Sequence, residues 1–298
     1  MAMTPVQVLA VDVGGSGVKY ALTDESLTLR EKGLVPTSFD THASFVDAIG
    51  GIFDRFDGID AVAMSSCGEL DPRSGYMFSG GALRFNGGTN MIESLGARCG
   101  VPVSIENDAN CALLAEADSG CLVDCENAMA LVMGTGIGGA VLINRRVYRG
   151  SHFHSGNASP TRVDLTPGAP LLARLNGATA LATGYASRAG LAPEHIDVPT
   201  VFARCEEGDP IALAVMDEFC SRLAVFIHNT QLILDVEAFA IGGGISAQPR
   251  FIDTLRDHVD RVFDGLQIQV PRPELRPCRY RNDANLIGAV LHHFNPDV

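Results

Sequence analysis

The chain has 298 residues, of which 46% are hydrophobic, which is enough to bury the cores of about two domains. Asp and Glu number 35 against 22 Lys and Arg, so the formal net charge is −13. An acidic chain repels phosphate backbones, which disfavours nucleic-acid binding as its main activity. The most apolar stretches, such as 128–133, are far shorter than the ~20 residues that a bilayer requires, so we expect no membrane span.

The first residues and the cysteines favour a cytoplasmic protein. Residues 1–15 carry no basic region followed by an apolar run and a cleavage site, so no signal peptide is predicted. Eight cysteines are present and none forms a C-x-x-C pair, which is typical of free thiols in a reducing compartment. Cys121 and Cys125 are a single close pair, which is weak support for a metal site, and we predict no structural zinc.

Two segments of the chain, at 8–22 and 128–143, resemble each other. Each consists of an apolar run typical of a β-strand, a glycine-rich turn and a second apolar run. Their separation is much longer than the roughly 20–50 residues of a solenoid repeat. The repeat therefore indicates a duplicated domain.

Helices and strands alternate through the rest of the chain. Apolar periodicity and capping residues predict helices over 43–56, 90–99, 108–117, 210–234, 249–263 and 283–293, and strands over 59–65, 101–105 and 238–241. This alternation predicts an α/β fold. The stretch 151–168 is polar and irregular, which makes it the best candidate for a functional loop.

The second glycine turn, 134–139, matches the pattern G-x-G-x-x-G. A dinucleotide-binding turn must open a helix, but here a strand follows at 140–143, so that interpretation fails. One alternative is a hairpin turn whose glycines adopt positive φ. The other is that the two glycine turns hold phosphates of one nucleotide through their backbone N–H groups. The pairing of two such turns favours the second alternative.

Asp12 is a carboxylate inside an otherwise apolar strand, just before the first glycine turn. Burying an unpaired carboxylate costs several kcal/mol, so Asp12 needs a partner. It either accepts hydrogen bonds from its own turn or faces a nucleotide-bound Mg²⁺, usually through water. Lys19 is either a phosphate partner or the solvated end of a strand.

The run Glu106-Asn107-Asp108-Ala109-Asn110 ends a strand and begins a helix. Ligands of α/β proteins bind at the carboxyl ends of strands, so this cluster of carboxylates and amides is a candidate site. The alternative is that Asn107 or Asp108 only caps the helix. Capping needs one such residue, and here several are present.

Together these motifs resemble the ROK family of sugar kinases, in order through nearly the whole chain. The resemblance is carried by Asp12-Val13-Gly14-Gly15-Ser16-Gly17, Glu106–Asn110, Gly134–Gly139, Ile241-Gly242-Gly243-Gly244-Ile245 and Asn282–Ala289. It implies the duplicated actin-like (ribonuclease H-like) fold of hexokinase and Hsp70, with two lobes and a cleft between them. The small lobe would comprise 1–107 plus 284–298 and the large lobe 108–283. The chain is most similar to the zinc-free branch of the β-glucoside kinases.

The resemblance also implies roles for individual residues. Asp108 would be the catalytic base facing the sugar hydroxyl, and Asp12 would lie near Mg²⁺ through water. The sugar would be bound by Asn86, Asn107, Asp108, His154 and Asn157. The nucleotide would be bound by Asp12, Gly14, Gly15, Ser16 and Lys19, by Gly134, Thr135 and Gly136 of the second turn, and by Gly243 and Gly244 beside adenosine.

The expected activity is transfer of the γ-phosphate of ATP, with Mg²⁺, to a hydroxyl, the 6-OH, of a hexose or a hexose-containing glycoside. Family members also imply a homodimer. The sequence differs from the family pattern at two positions, which puts the identity of the sugar in question. Asn157 stands where the family has a sugar-binding Glu, and Pro160 stands where it has His. The alternatives are a sugar- or nucleotide-binding relative without turnover, and a sugar-responsive regulator. The first glycine turn begins so early that no DNA-binding helix-turn-helix is expected before it.

Overall fold

The computed structural model describes residues 6–296 except Ser16. Its contacts form two compact units. The first comprises 1–118, 146–155 and 283–298, and the second comprises 119–145 and 156–282. The helix that begins at Asp108 therefore belongs to the first unit. The limits of the two units thus differ from those expected for the two lobes, in which the small lobe ended at residue 107 and resumed at 284. The lobes themselves stay a prediction.

The first unit is built on a sheet with the strand order β3-β2-β1-β4-β7. Strands β1 and β2 form an antiparallel hairpin, whereas β1, β4 and β7 run parallel to one another. Strands β5 and β6 form a separate two-stranded hairpin. The strands span Val8–Val13 (β1), Gly17–Thr23 (β2), Arg30–Pro36 (β3), Ala61–Ser66 (β4), Glu69–Asp71 (β5), Tyr76–Ser79 (β6) and Val103–Asn107 (β7), and the helices span His42–Phe53 (α1), Met91–Cys99 (α2), Asp108–Ser119 (α3) and Ala284–Phe294 (α9).

Side chains of β1 point alternately to the two faces of this sheet, and those on both faces are mostly apolar. Helices therefore cover both faces. Leu9, Val11 and Val13 pack with α1 and α2 in one core. Val8 and Ala10 pack with α3 and α9 in another. Asp12 continues the second series, so its carboxylate lies on the face covered by α3 and α9. Helix α9 crosses α3 at Gly288, where a Cβ would collide with the carbonyl oxygen of Cys111.

The second unit contains strands in the order β9-β8-β11-β12. Strands β8 and β9 form the second antiparallel hairpin, and β11 runs parallel to β8 and β12. Helices α5 to α8 pack on these strands in one apolar core. The strands span Ala128–Met133 (β8), Ile137–Ile143 (β9), Ala238–Gly242 (β11) and Glu274–Pro277 (β12), and the helices span Leu172–Asn176 (α4), Ala178–Ala189 (α5), Val198–Glu206 (α6), Pro210–Leu234 (α7) and Pro249–Asp264 (α8). The short strand β10, Arg146–Val147, belongs to the first unit.

The predicted elements are confirmed to within a few residues at their ends. Both repeated segments are strand–turn–strand hairpins, and 151–168 contains neither helix nor strand. All eight cysteines are free thiols. Among the helices in the described part of the chain, none has both the length and the apolar character needed to cross a membrane.

Candidate active site

Three parallel strands of the first unit end at one edge of its sheet and present polar residues there. In the strand register Asp12 is paired with Ser65, and Ser65 with Glu106. Helix α3 begins directly after β7, with Asp108 as its first residue. The carboxyl ends of parallel strands are where α/β sheets bind ligands. The structure therefore brings Asp12 and the 106–108 cluster to one edge, as the sequence predicts.

Asp108 is a half-buried carboxylate with a perturbed acidity. Burial raises the pKa of Asp108 from an ordinary 3.8 to about 6, against the opposing effect of hydrogen bonding to the backbone N–H of Ala109. The negative charge of Asp12 raises the pKa of Asp108 further. A carboxylate with a pKa near 6 is largely ionised at pH 7 yet far more basic than an ordinary aspartate. These are the properties of a general base.

Asn107 is the residue that caps helix α3. Its Oδ1 accepts hydrogen bonds from the backbone N–H groups of Ala109 at 2.9 Å and Asn110 at 3.3 Å. Its Nδ2 donates to the carbonyl oxygen of Gly68 at 3.0 Å. An amide nitrogen has two hydrogens, so one donor of Asn107 remains for a ligand. Asn107 therefore caps helix α3, and the substrate roles of Asn107 and Asp108 stay predictions.

Glu106 and Arg149 form a buried ion pair that the sequence reasoning missed. Arg149 Nε donates to Glu106 Oε2 at 2.7 Å, and the two side chains are 16% and 1% exposed. Glu106 Oε1 also accepts from the backbone N–H of Asn107 and from Asn110 Nδ2. The pair joins the loop after β10 to the end of β7. The only signal in the sequence is a carboxylate at a buried strand end, which requires some cation.

The carboxylate of Asp12 is 4% exposed and accepts three hydrogen bonds. Oδ1 accepts from Ser65 Oγ at 3.2 Å and Asn285 Nδ2 at 2.9 Å, and Oδ2 accepts from Lys19 Nζ at 3.2 Å. Lys19 is therefore the ion-pair partner of Asp12, a role not among the two predicted for it. Among the described residues, these bonds use both lone pairs of Oδ1 and leave one on Oδ2. This carboxylate fits Mg²⁺ through a bound water better than as a direct ligand.

The first glycine turn joins β1 to β2. The backbone N–H of Gly14 donates to the carbonyl oxygen of Gly17 at 3.0 Å, and a Cβ on Gly15 would press on Ala82 at 3.1 Å. Neither Gly14 nor Gly15 has a positive φ. Ser16, the third residue predicted for this turn, lies outside the described residues.

In the second unit, the second glycine turn joins β8 to β9. A Cβ on Gly134 would meet nothing within 4 Å, and one on Gly136 would make only ordinary contacts with Ser159 and Ala173. Neither glycine has a positive φ, so the alternative of a hairpin that requires left-handed glycines is wrong. The carbonyl oxygen of Thr135 accepts from Thr179 Oγ1 at 2.9 Å. The protein fold does not require these two glycines, which leaves room for the close approach of a ligand.

Gly243 and Gly244 follow β11 and differ from each other. Gly243 has φ 88°, and a Cβ there would collide with the backbone of Met133, so the fold itself requires glycine. A Cβ on Gly244 would meet nothing within 4 Å. Only Gly244 of the two therefore offers open space beside its backbone.

The predicted sugar ligands outside the 106–108 cluster lie in different settings. Asn86 is buried, and its Oδ1 lies 2.9 Å from Nδ1 of His42. His154 is exposed, and its Nδ1 lies 3.5 Å from Glu69 Oε1 in the first unit. Asn157, in the second unit, is half-buried and accepts from the backbone N–H of Ser159 at 3.2 Å. Sugar binding by these three residues stays a prediction.

Known proteins resemble this chain along nearly its whole length. The model of the ROK family matches residues 8–293. A β-glucoside kinase of Klebsiella pneumoniae is 31% identical over 294 residues, covering 97% of this chain and 96% of the relative. The crystal structure of a ROK family protein from Streptococcus pneumoniae in complex with sucrose has a TM-score of 0.87 at 26% identity, covering 98% and 99% of the two chains.

A third similarity concerns the fold alone. A ROK family glucokinase from Streptomyces griseus, solved in complex with glucose and AMPPNP, has a TM-score of 0.83 at 21% identity, covering 95% of this chain and 97% of that one. The two glycine hairpins, the polar sheet edge and these matches agree with one another. The chain belongs to the ROK family and has its actin-like ATPase fold.

Proposed function

We propose that this ROK-family sugar kinase transfers the γ-phosphate of ATP to the 6-OH of a hexose, either free or as part of a glycoside. The observation that carries the proposal is the carboxylate of Asp108, at the carboxyl end of the sheet with its pKa raised to about 6. The relative from Klebsiella pneumoniae is named a β-glucoside kinase, which supports a glucose-containing acceptor.

Asp108 is proposed to accept the proton of the attacking hydroxyl. Phosphoryl transfer requires positioning, neutralisation of charge and a modest base, with little covalent chemistry by the protein. Asn107 holds the start of helix α3 through its hydrogen bonds to Ala109 and Asn110, which fixes the position of Asp108. The buried pair of Glu106 and Arg149 supports the same junction. In this proposal the base is placed by the cap at Asn107 and by the Glu106–Arg149 pair.

The phosphates are proposed to lie against the two glycine turns. The open space at Gly134 and Gly136, which neither φ nor packing explains, supports this assignment for the second turn. When bound with ATP, Mg²⁺ would neutralise charge on the phosphate oxygens. The lone pair that the described residues leave on Asp12 Oδ2 would hold a water of that ion, and Lys19 would pair with the same oxygen.

The sugar is proposed to bind Asn86, Asn107, Asp108, His154 and Asn157. Asn157 supplies an amide where the family has a carboxylate, so the acceptor keeps hydrogen bonds but loses a charge-assisted one. Such a bond is typically worth about 1.5–3 kcal/mol, which is enough to redirect substrate choice. We also propose, from the family alone, that the chain forms a homodimer, and, from the spacing of its cysteines, that it contains no structural zinc.

A coupled assay of ADP formation over a panel of free hexoses and β-glucosides tests the proposal. We expect ATP consumption that depends on both sugar and Mg²⁺, and a product whose phosphorus couples to the C6 protons in its NMR spectrum. Phosphate on another carbon would refute the 6-OH assignment only. ATP and sugar binding without turnover on any acceptor would instead favour the non-catalytic alternative.

A further inference from the structure

Three aromatic side chains form a cluster in the first unit, in which Tyr76 and Phe78 are exposed and Phe153 is half-buried. The ring of Phe78 lies 5.3 Å from that of Tyr76 and 6.0 Å from that of Phe153, to which it is stacked with an interplanar angle of 22°. Tyr76 and Phe78 are two residues apart on β6 and share its outer face, while Met77 between them is fully buried. Tyr76 and Phe78 are 41% and 53% exposed. Grouped aromatic side chains in water mark a binding surface more often than single ones do.

Phe153 is held in a backbone conformation that aromatic residues avoid. Its φ is 61°, in the left-handed region, where a non-glycine residue is strained. The loop that carries it begins at Arg149, which is fixed by its buried pair with Glu106. The backbone N–H of Ser155 donates to the carbonyl oxygen of Arg149 at 3.3 Å and closes the loop. These contacts hold Phe153 in its strained conformation, in which its ring stacks on that of Phe78.

The aromatic cluster is continuous with the proposed acceptor site. Asn107, next to Asp108, donates to the carbonyl oxygen of Gly68. The next residue, Glu69, lies 3.5 Å from His154, which follows Phe153 in the loop. Glu69 also pairs in the β5–β6 hairpin with Ser79, the neighbour of Phe78. These contacts and the chain neighbours between them therefore link the proposed base to the aromatic rings within one unit, with a carboxylate and an imidazole between them.

We propose that Phe78 and Phe153, with Tyr76 beside them, bind the ring that follows the phosphorylated sugar in a glycoside: a second pyranose or an aryl group. This inference rests on the proposed function. The C–H groups of a pyranose, or the edge of an aryl ring, are attracted to the negative face of an aromatic ring. Glu69 and His154 supply hydrogen-bond partners for hydroxyls at the junction of the two rings. A glycoside is then preferred to a free hexose as the acceptor.

The size of the cluster argues against a second copy of the chain as its occupant. A stable protein interface uses about 20–30 residues on each side, whereas three side chains form this surface. A sugar or aryl ring matches the area of one or two aromatic faces. Pockets for small ligands commonly combine aromatic walls with a few placed polar groups, which is the composition found here.

The test compares Phe78→Ala with wild type on two acceptors, phenyl β-D-glucoside and D-glucose. Loss of one aromatic contact should lower kcat/KM for the phenyl glucoside about tenfold and leave that for glucose within about twofold. Leu165→Ala is the matched control, since Leu165 is an exposed apolar residue of the second unit and should change neither. Equal losses on both acceptors, or no loss on the glucoside, would overturn the proposal. A shift in the sedimentation of Phe78→Ala with unchanged kinetics would assign the cluster to an interface instead.

A binding experiment separates this inference from the proposed function. The chain contains no tryptophan, so Phe78→Trp places a sole indole in the cluster while keeping an aromatic face. Saturable change in its fluorescence with phenyl β-D-glucoside, and none with glucose at equal concentration, supports the subsite even if no sugar is phosphorylated. Fluorescence that is unaffected by the glucoside would overturn the subsite even if the chain phosphorylates sugars.

Discussion

Replacing Asp108 by Asn should abolish most of the activity and at the same time stabilise the protein. Asn keeps the size of the side chain and an oxygen that can accept from Ala109, but it cannot take a proton. General-base catalysis contributes about 10²–10⁴-fold, so kcat should fall at least 100-fold. The wild-type kcat/KM should also fall about tenfold per pH unit below pH 6, as the base becomes protonated, and Asp108→Asn should lose this dependence.

The stability effect follows from the direction of the pKa shift. The pKa of Asp108 is higher in the folded state than in the unfolded chain, so the native state holds this proton more tightly. The contribution of Asp108 to stability is therefore fully present below pH 3.8 and is lost as the pH rises from there through about 6. The difference between a pKa of 3.8 in the unfolded chain and about 6 in the folded state corresponds to a loss of on the order of 3 kcal/mol of stability at neutral pH. The Asn variant has no such charge to bury and would not lose this free energy. Above pH 7 we expect Asp108→Asn to unfold at higher temperature than wild type.

Two measurements decide this prediction: steady-state kinetics between pH 5 and 8, and thermal unfolding at low and neutral pH. Asp57→Asn, at an exposed position of the same unit, is the matched control and should leave both unchanged. Near-normal turnover of Asp108→Asn would refute its role as the base. An Asn variant that is less stable than wild type at neutral pH would refute the burial argument.

Three further predictions follow from other parts of the structure. Gly136→Val should weaken ATP binding measured by calorimetry, and the protein should stay folded because a Cβ at Gly136 makes only ordinary contacts. Gly51→Val, in open space on α1, is the control. Unchanged ATP affinity of Gly136→Val would refute the assignment of this turn to phosphate binding. Arg149→Met should destabilise the protein by about 3–5 kcal/mol in urea unfolding, because it leaves the buried carboxylate of Glu106 unpaired. Adding Glu106→Gln removes that charge and should recover part of the lost stability. Additive losses would show that the two groups do not interact. Asn157→Glu should shift the sugar preference towards glucose, and an unchanged panel profile would limit Asn157 to its hydrogen bond with the loop.

Much of the fold could be predicted from local patterns in the sequence. Two apolar runs around a glycine turn predict an antiparallel hairpin, and both predicted hairpins are present. The dipeptide Asp209-Pro210 predicts the start of a helix, and Asp209 accepts from the N–H groups of Ile211 and Ala212 there. Hairpin symmetry could also have revealed the pairing of Asp12 with Lys19, which are direct partners across β1 and β2.

The rest of the site depends on contacts that local patterns do not contain. Arg149 lies in a loop, 43 residues from Glu106, and nothing in the intervening sequence indicates that the two meet. The stacking of Phe153 on Phe78 depends on a left-handed backbone conformation at Phe153. A glycine at this position would have predicted that conformation, whereas a phenylalanine does not. The pKa of Asp108 likewise results from burial by the surrounding fold.

The most direct test of the central claim is a transfer experiment with ATP labelled in its γ-phosphate. The protein, Mg²⁺ and phenyl β-D-glucoside are incubated with the labelled ATP, and the label is followed by chromatography. We predict that the label appears in the glucoside, in an amount equal to the ADP formed, and that Asp108→Asn reduces its rate at least 100-fold. Label that appears only as inorganic phosphate, or transfer at the wild-type rate by Asp108→Asn, would contradict the account.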